Sequence, residues 1–262
     1  MDLLLMSFAG VTAKEYLTIQ QQGNITPSLY AKIQRTKTLN RHDIIRRLDQ
    51  DNIGYITYEH ELYPPLLKEI YDFPYILYYR GNLSILSEKM LGVVGSRKAS
   101  GYTKKALEKI LPELENIAVV SGLAYGADEA AHRIAVEHNM KTIGVLAFGH
   151  HTHYPKTTAD IRRQMEQDHI TISEYPPDTP VNKWQFVARN RIIAGAAQGV
   201  LVTEAEEKSG SLITLEMALD ENRNGYCLPG NITSPLSAGT NLRIQEGASA
   251  VTAASDIQAD FS

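Results

Sequence analysis

Three short stretches of small residues stand where an apolar run gives way to a helical pattern: "GSRKASG" (Gly95 to Gly101), "SGLAYGAD" (Ser121 to Asp128) and "KSGSLIT" (Lys208 to Thr214). Small residues ahead of a helix leave backbone N–H groups unhindered and aim them, with the positive end of the helix, at an anion. One such loop reads equally well as a tight strand-to-helix turn. Three at one sheet edge point to an anion site. The site is not a standard cofactor grip. Gly92, Gly95 and Gly101 do not fit G-x-G-x-x-G, and "IAVVSG" ends in Ser121 and Gly122 where the acid of a dinucleotide site belongs. No G-x-x-x-x-G-K-[ST] run occurs either. No bound cofactor is expected.

The segment "KWQFVARNRIIAG" carries Lys183, Arg189 and Arg191 with Trp184 and Phe186 interleaved and no acid among them. Cations that neutralise phosphates beside rings that stack on bases suit single-stranded nucleic acid. The competing reading makes the rings core and pairs the arginines with carboxylates. Arg97, Lys98, Lys104 and Lys105 form a second positive cluster by the first loop, whereas Glu204, Glu206, Glu207, Asp220 and Glu221 lie elsewhere in sequence. Catalytic groupings are poor. His150, His151 and His153 in "GHHTHY" lack a further ligand at zinc-like spacing, so no metal is expected. His132, one helical turn after Asp128, suits an orienting hydrogen bond. Cys227 in "GYCLPG" reads as a buried strand residue, and Ser209 and Ser211 have no base partner in sequence. No nucleophile emerges, and no enzymatic activity is expected.

The elements that must position these groups change in texture along the 262 residues. Residues 1 to about 82 show helical spacing, with Leu3, Leu4, Met6 and Phe8 first, polar breaks at "QQGNITPS" and "RTKTLN", and Ile44, Ile45 and Leu48 on one later face. A connector with one extended run, Tyr75 to Tyr79, follows and ends at Gly81. From about residue 90, short Val- and Ile-rich strands ("LGVVG", "IAVVSG", "KTIGVLAFG", "ITISE", "GVLVTEA", "GYCLPG") alternate with helical patterns such as "TKKALEKILPELE", "ADEAAHRIAVEHN" and "SLITLEMALDENR". This is the signature of a parallel sheet covered on both faces, with ligands at the carboxyl ends of its strands. The tail "AASDIQADFS" suggests a short terminal helix or a frayed end. We therefore expect an α/β fold with a mainly parallel, doubly wound sheet over residues 83–262, preceded by a small helical unit with its connector over 1–82.

Apolar residues make up 43% and charged residues 21%, as in an ordinary globular chain. The formal net charge of −4 gives no general pull toward nucleic acid, so any such site must be a local patch. One cysteine excludes an intramolecular disulfide and fits a reducing compartment. No run reaches the ~18 apolar residues of a membrane span. "MDLLLMSFAG" has Asp2 where a signal peptide would be positive, so we read it as the first helix of a cytoplasmic protein.

Residues 60 to 250 resemble the DNA-processing protein A family (DprA or Smf) through nine ordered segments: "YPPLLKEIYDFPYILYYRGN", "LGVVGSRKAS", "VVSGLAYGADEAAH", "TIGVLAFGHHTHYP", "SEYPPDTP", "FVARNRIIAG", "VLVTEAEEKSGSLIT", "YCLPGNI" and "SAGTNLRIQEGA". The resemblance implies an extended Rossmann-like domain, after a sterile-alpha-motif-like helical one, that binds single-stranded DNA. It implies protection of incoming DNA and loading of the RecA recombinase in natural transformation, a homodimer, and no catalysis. It carries a DNA pocket onto Arg97 of the G-S-R loop with Gly95 and Ser96, onto Lys183 and Phe186, and onto Arg189, Asn190 and Arg191. Gly122, Ser209 and Gly210 would line the same edge. "LITLEMALDENR" is the expected dimer region by the same analogy.

The chain departs from the family pattern at Val187, where proline is usual, and at Arg243, where an apolar residue is common. The C-terminal winged helix that many members carry is not expected here. Two other classes remain to be weighed. "SGSLITLEM" echoes a phosphoribohydrolase motif that cleaves nucleoside monophosphates, with Thr214 in place but Ile213 and Met217 where glycine and glutamate belong, and Glu216 one residue early. The third class is a pure interaction scaffold for RecA, with DNA incidental.

Overall fold

The computed structural model describes residues 1–261. Four helices come first: α1 (Leu3–Phe8), α2 (Ala13–Gln20), α3 (Pro27–Thr36) and α4 (Arg41–Gln50). Their starts are written in the sequence. Asp2 accepts from the Leu4 and Leu5 N–H groups, Thr12 and Glu15 form a reciprocal capping box, and Thr26 and Asn40 cap α3 and α4. The two polar breaks are the α2–α3 and α3–α4 turns.

Next come β1 (Gly54–Thr57) and β2 (Ile76–Gly81), and then the alternating part of the chain. Its elements are β3 (Lys89–Val94), α5 (Gly101–Ile110), β4 (Ile117–Ser121), α6 (Ala127–Glu137), β5 (Thr142–Val145), α7 (Ala159–Asp168), β6 (Ile170–Ser173), α8 (Lys183–Ala196), β7 (Gly199–Val202), α9 (Gly210–Asp220), β8 (Asn224–Cys227), α10 (Pro235–Gln245), β9 (Ser249–Ala250) and α11 (Ser255–Gln258). All nine described strands form one sheet in the order β1-β2-β6-β5-β4-β3-β7-β8-β9. It is parallel from β6 to β9, and β1 and β2 add antiparallel at the β6 edge. The mixed α/β fold is that of a Rossmann-like, doubly wound sheet. The extended run expected to serve as a connector is β2, whose Tyr78 to Gly81 register against Ser173 to Ile170.

Strand alternation sorts the core. Leu91 and Val93 of β3 enter a cluster with Leu107, Ile110, Ala131 and Ile134 of α5 and α6. Met90 and Val94 enter another with Ile192 and Ile193 of α8 and Leu212 and Leu215 of α9. A period of two along a strand, with both faces covered, produces this split. The N-terminal helices pack Leu4, Met6, Leu29, Ile44 and Leu48 onto Tyr75, Ile76 and Tyr78. The Tyr78 hydroxyl sits 2.8 Å from Ser7 Oγ, so the buried ring keeps its polar end satisfied. Cys227 is fully buried at the end of β8, as the sequence suggests. Among the described residues no helix is long and apolar enough to cross a membrane.

Candidate nucleic-acid interface

Strand order reverses at β3. The chain runs outward through β4, β5 and β6, then returns to the other side of β3 as β7 and continues through β8. Loops leaving β3 and β7 must therefore part, and a crevice opens between them at the carboxyl ends of the strands. A cavity of about 490 Å³ occupies this place. Its walls include Gly95, Ser96, Arg97 and Lys98 after β3, Ser209, Gly210 and Ser211 after β7, and Phe186, Arg189 and Asn190 of α8. The three small-residue loops thus gather at one sheet edge, and the amino ends of α5, α6 and α9 follow them.

The first two loops are each held from below by a buried carboxylate. Glu204 is the post for the first: its carboxylate accepts from Ser100 N–H (2.7 Å), Ser100 Oγ–H (2.7 Å) and Thr103 Oγ1–H (2.7 Å). Its carbonyl accepts from Ser96 N–H at 2.7 Å. This acid, which the sequence places away from the basic cluster, lies directly beneath it, and Glu206 lines the cavity itself. Asp128 holds the second loop by accepting from Gly122 N–H (3.2 Å) and Ala124 N–H (3.4 Å). Burial raises its pKa, and the neighbouring Arg189 guanidinium works against that. The loop also packs against the first one. Gly126 has φ +77°, and a Cβ there would collide with Ser96 O, so glycine is required twice over. Leu123 adopts φ +55°, an uncommon conformation for a leucine and a mark of local strain. In the third loop Ser209 caps α9 and shares a 2.7 Å hydrogen bond with Ser211 Oγ.

The cations divide into two kinds. Arg97 and Lys98 are exposed at the cavity and have no carboxylate within ion-pair distance among the described residues. The Arg97 guanidinium lies over the Phe186 ring, 5.5 Å from its centroid. Lys183 opens α8, is likewise exposed and unpaired by the same measure, and stands one turn before Phe186 but outside the cavity lining.

The arginines of "RNR" differ from the sequence expectation that they face phosphate. Arg189 is 4% exposed; its Nη1 donates to Gly122 O (2.7 Å) and Val145 O (2.5 Å), and burial pushes its pKa down to about 10. Arg191 lies outside the cavity lining and pairs with Glu174 (2.6 Å) and Asp72 (3.2 Å). Two helical residues two apart point about 200° away from each other, so both cannot serve one pocket. Asn190 does line the cavity; its Oδ1 accepts from Arg189 Nε–H at 3.1 Å, which leaves its NH₂ as the donating end. Gly122 sits in an adjoining depression where a Cβ would run into the Arg189 guanidinium. Thr214, 1% exposed, lines the cavity with its hydroxyl unpartnered.

The remaining candidates are engaged elsewhere. His132 Nδ1 lies 2.7 Å from Thr142 Oγ1, not on Asp128, and burial with the Arg189 charge lowers its pKa to about 3, so it is neutral. His150 faces Thr171, His151 bridges Asp51 and Asp178, and His153 faces Arg162; the three do not converge. Glu216, the acid nearest the phosphoribohydrolase position, is exposed, ion-paired to Arg243, and absent from the cavity wall. Arg243 is thereby accommodated where an apolar residue is common, pairing also with Glu246 at 2.7 Å. Sequence reading missed Glu204 as the post beneath the G-S-R loop. It also missed Tyr125 and Tyr154, which border the adjoining depression.

Known proteins share this architecture. A family model described as DNA recombination-mediator protein A matches residues 54–262. The DNA processing protein DprA of Streptococcus pneumoniae is 46% identical over 202 residues, covering 77% of this chain and 72% of that protein. The Bacillus subtilis protein of the same name is 38% identical over 211 residues, covering 79% and 71%. The X-ray structure of S. pneumoniae DprA superposes with a TM-score of 0.88 at 35% identity, over 98% of this chain and 95% of that one. A Helicobacter pylori DprA structure, described by its single-stranded DNA binding mode, gives a TM-score of 0.71 at 25% identity, over 79% and 95%. The family match begins at β1 and runs through the whole parallel sheet and every loop that lines the cavity: the chain belongs to the DNA recombination-mediator protein A family.

Proposed function

We propose that the cavity at the β3–β7 divide is a single-stranded DNA site, and that the protein, as a homodimer, protects such DNA and loads the RecA recombinase onto it. The observation that carries the reading is the pair of exposed cations, Arg97 and Lys98, with no acid partner among the described residues, at a crevice where three helix amino ends meet. Unpaired cations at a site of oriented N–H groups attract phosphate. The binding mode named for the H. pylori relative supports the choice of ligand. The residues we assign to the strand are Gly95, Ser96, Arg97, Lys183, Phe186, Asn190, Ser209 and Gly210, with Gly122, Arg189 and Arg191 acting behind them. Exposed Ile213 and Leu219 on α9 support that helix as the dimer contact. The non-enzymatic reading is supported by Glu216 lying off the cavity.

Titration of fluorescent single- and double-stranded oligonucleotides at several salt concentrations tests this. Single strands bind more tightly, with a log–log salt slope of about −0.7 per phosphate neutralised. Equal binding of duplex, or no salt dependence, sinks the reading. Sedimentation at micromolar concentration reads the dimer, and RecA filament growth on pre-coated single strands reads the loading.

A further inference from the structure

Phe186 is not the ring best placed to meet a base. It is half-buried, packed against the core cluster that contains Leu123, Leu146 and Phe148, and the Arg97 guanidinium already lies over it. Two other rings beside it are open. Tyr125, in the second loop, is 41% exposed, and Tyr154, in the segment after β5, is 44% exposed. Both border a shallow depression whose wall also includes Arg97, Gly122, Ala124 and Phe186. Arg97, Ala124 and Phe186 line the main cavity too, so the two hollows adjoin and share a wall. The Tyr154 and Phe186 ring centroids are 5.7 Å apart with planes inclined at 57°. Neither tyrosine hydroxyl has a hydrogen-bond partner among the described residues, so neither ring is there to satisfy a polar contact.

We propose that Tyr125 and Tyr154 form a stacking platform for nucleobases of a DNA strand whose phosphates are held at the Arg97 cavity. The inference rests on the single-strand reading of that cavity. An exposed aromatic face next to an unpaired cation offers the two components that sequence-tolerant single-strand binding uses. The exposure of the two rings favours single strands: bases in a duplex are paired and stacked and offer no free face without unstacking, whereas a flexible single strand splays its bases freely.

The test uses the whole chain with two fluorescent ligands, an oligothymidylate and an abasic oligonucleotide of equal length. Both carry the same phosphates and only the first carries bases. Wild type prefers the oligothymidylate, and the Tyr125→Ala/Tyr154→Ala variant loses at least tenfold on it while binding the abasic strand as wild type does. Tyr125→Phe/Tyr154→Phe retains the preference, because the ring and not the hydroxyl does the stacking. A double alanine variant that matches wild type on oligothymidylate, while Arg97→Ala fails on both ligands, overturns the platform and leaves the cavity assignment standing. A wild type that binds neither ligand overturns both. A double alanine variant that loses affinity equally for both ligands also overturns the platform, since its tyrosines then serve the fold or the phosphates.

Discussion

Arg97→Ala lowers affinity for single-stranded DNA by about 100-fold and leaves the unfolding midpoint where it was. The two halves of that expectation come from one environment. Arg97 is exposed, has no carboxylate partner among the described residues, and touches the rest of the protein chiefly through the Phe186 ring. A surface cation over one ring contributes about 0.5–1 kcal/mol, so the fold loses little. The ligand loses more. A guanidinium fork engages a phosphate with two charge-assisted hydrogen bonds, each worth about 1.5–3 kcal/mol, and 1.4 kcal/mol is tenfold in affinity. The salt slope becomes shallower by about 0.7 as one phosphate contact is lost. Arg97→Lys recovers only part of the affinity, because an ammonium neither forks nor stacks on Phe186. Lys183→Ala, at a point charge outside the cavity wall, costs about tenfold. Anisotropy titrations beside thermal melts read both halves. An Arg97→Ala protein that binds as wild type does removes this cavity from the DNA path.

The layout of this site was readable in sequence wherever the signal was local. The Leu91/Val93 and Met90/Val94 alternation announces a strand buried on both faces, and "GSRKASG", "SGLAYGAD" and "KSGSLIT" announce loops that must gather where parallel strands end. Asp2, Thr12, Thr26 and Asn40 cap their helices through contacts that are equally local. What escaped depends on long-range pairing. β2 reads as an extended run within a connector, but its place in the sheet does not show, because its partners, β1 and β6, make antiparallel contacts that no nearby residue encodes. Glu204 reads as one more acid in "TEAEEK", yet β7 lies beside β3 and so brings its carboxylate beneath Ser100 and Thr103. Tyr125 and Tyr154 sit in separate motifs and become neighbours of Phe186 only through the fold. The "RNR" motif was the instructive case: its charges look alike, but helical geometry sends Arg189 inward and Arg191 to Glu174 and Asp72.

Arg189→Met destabilises the protein by about 3–5 kcal/mol, the range for removing one partner from a buried charged network. For a chain of this size that lowers the thermal midpoint by about 10 °C, at 2–4 °C per kcal/mol. Methionine keeps the apolar stem, so the loss is that of the guanidinium. Two carbonyls, Gly122 O at the end of β4 and Val145 O at the end of β5, then lose their donor in the interior. Asp128 loses the cation that offsets its burial, so its pKa climbs further and its carboxylate holds the Gly122 and Ala124 N–H groups less firmly. Both effects loosen the second loop, and affinity for single strands falls as a consequence of stability. Arg189→Lys does not restore the midpoint, since one ammonium cannot stand both at the Nη1 position, which donates to Gly122 O and Val145 O, and at the Nε position, which donates to Asn190 Oδ1. The contrast with Arg97 is the decisive comparison: one substitution moves affinity and not the midpoint, the other moves the midpoint first. If Arg189→Met melts like wild type and still fails to bind DNA, Arg189 is a phosphate ligand and its role beneath the loop is wrong.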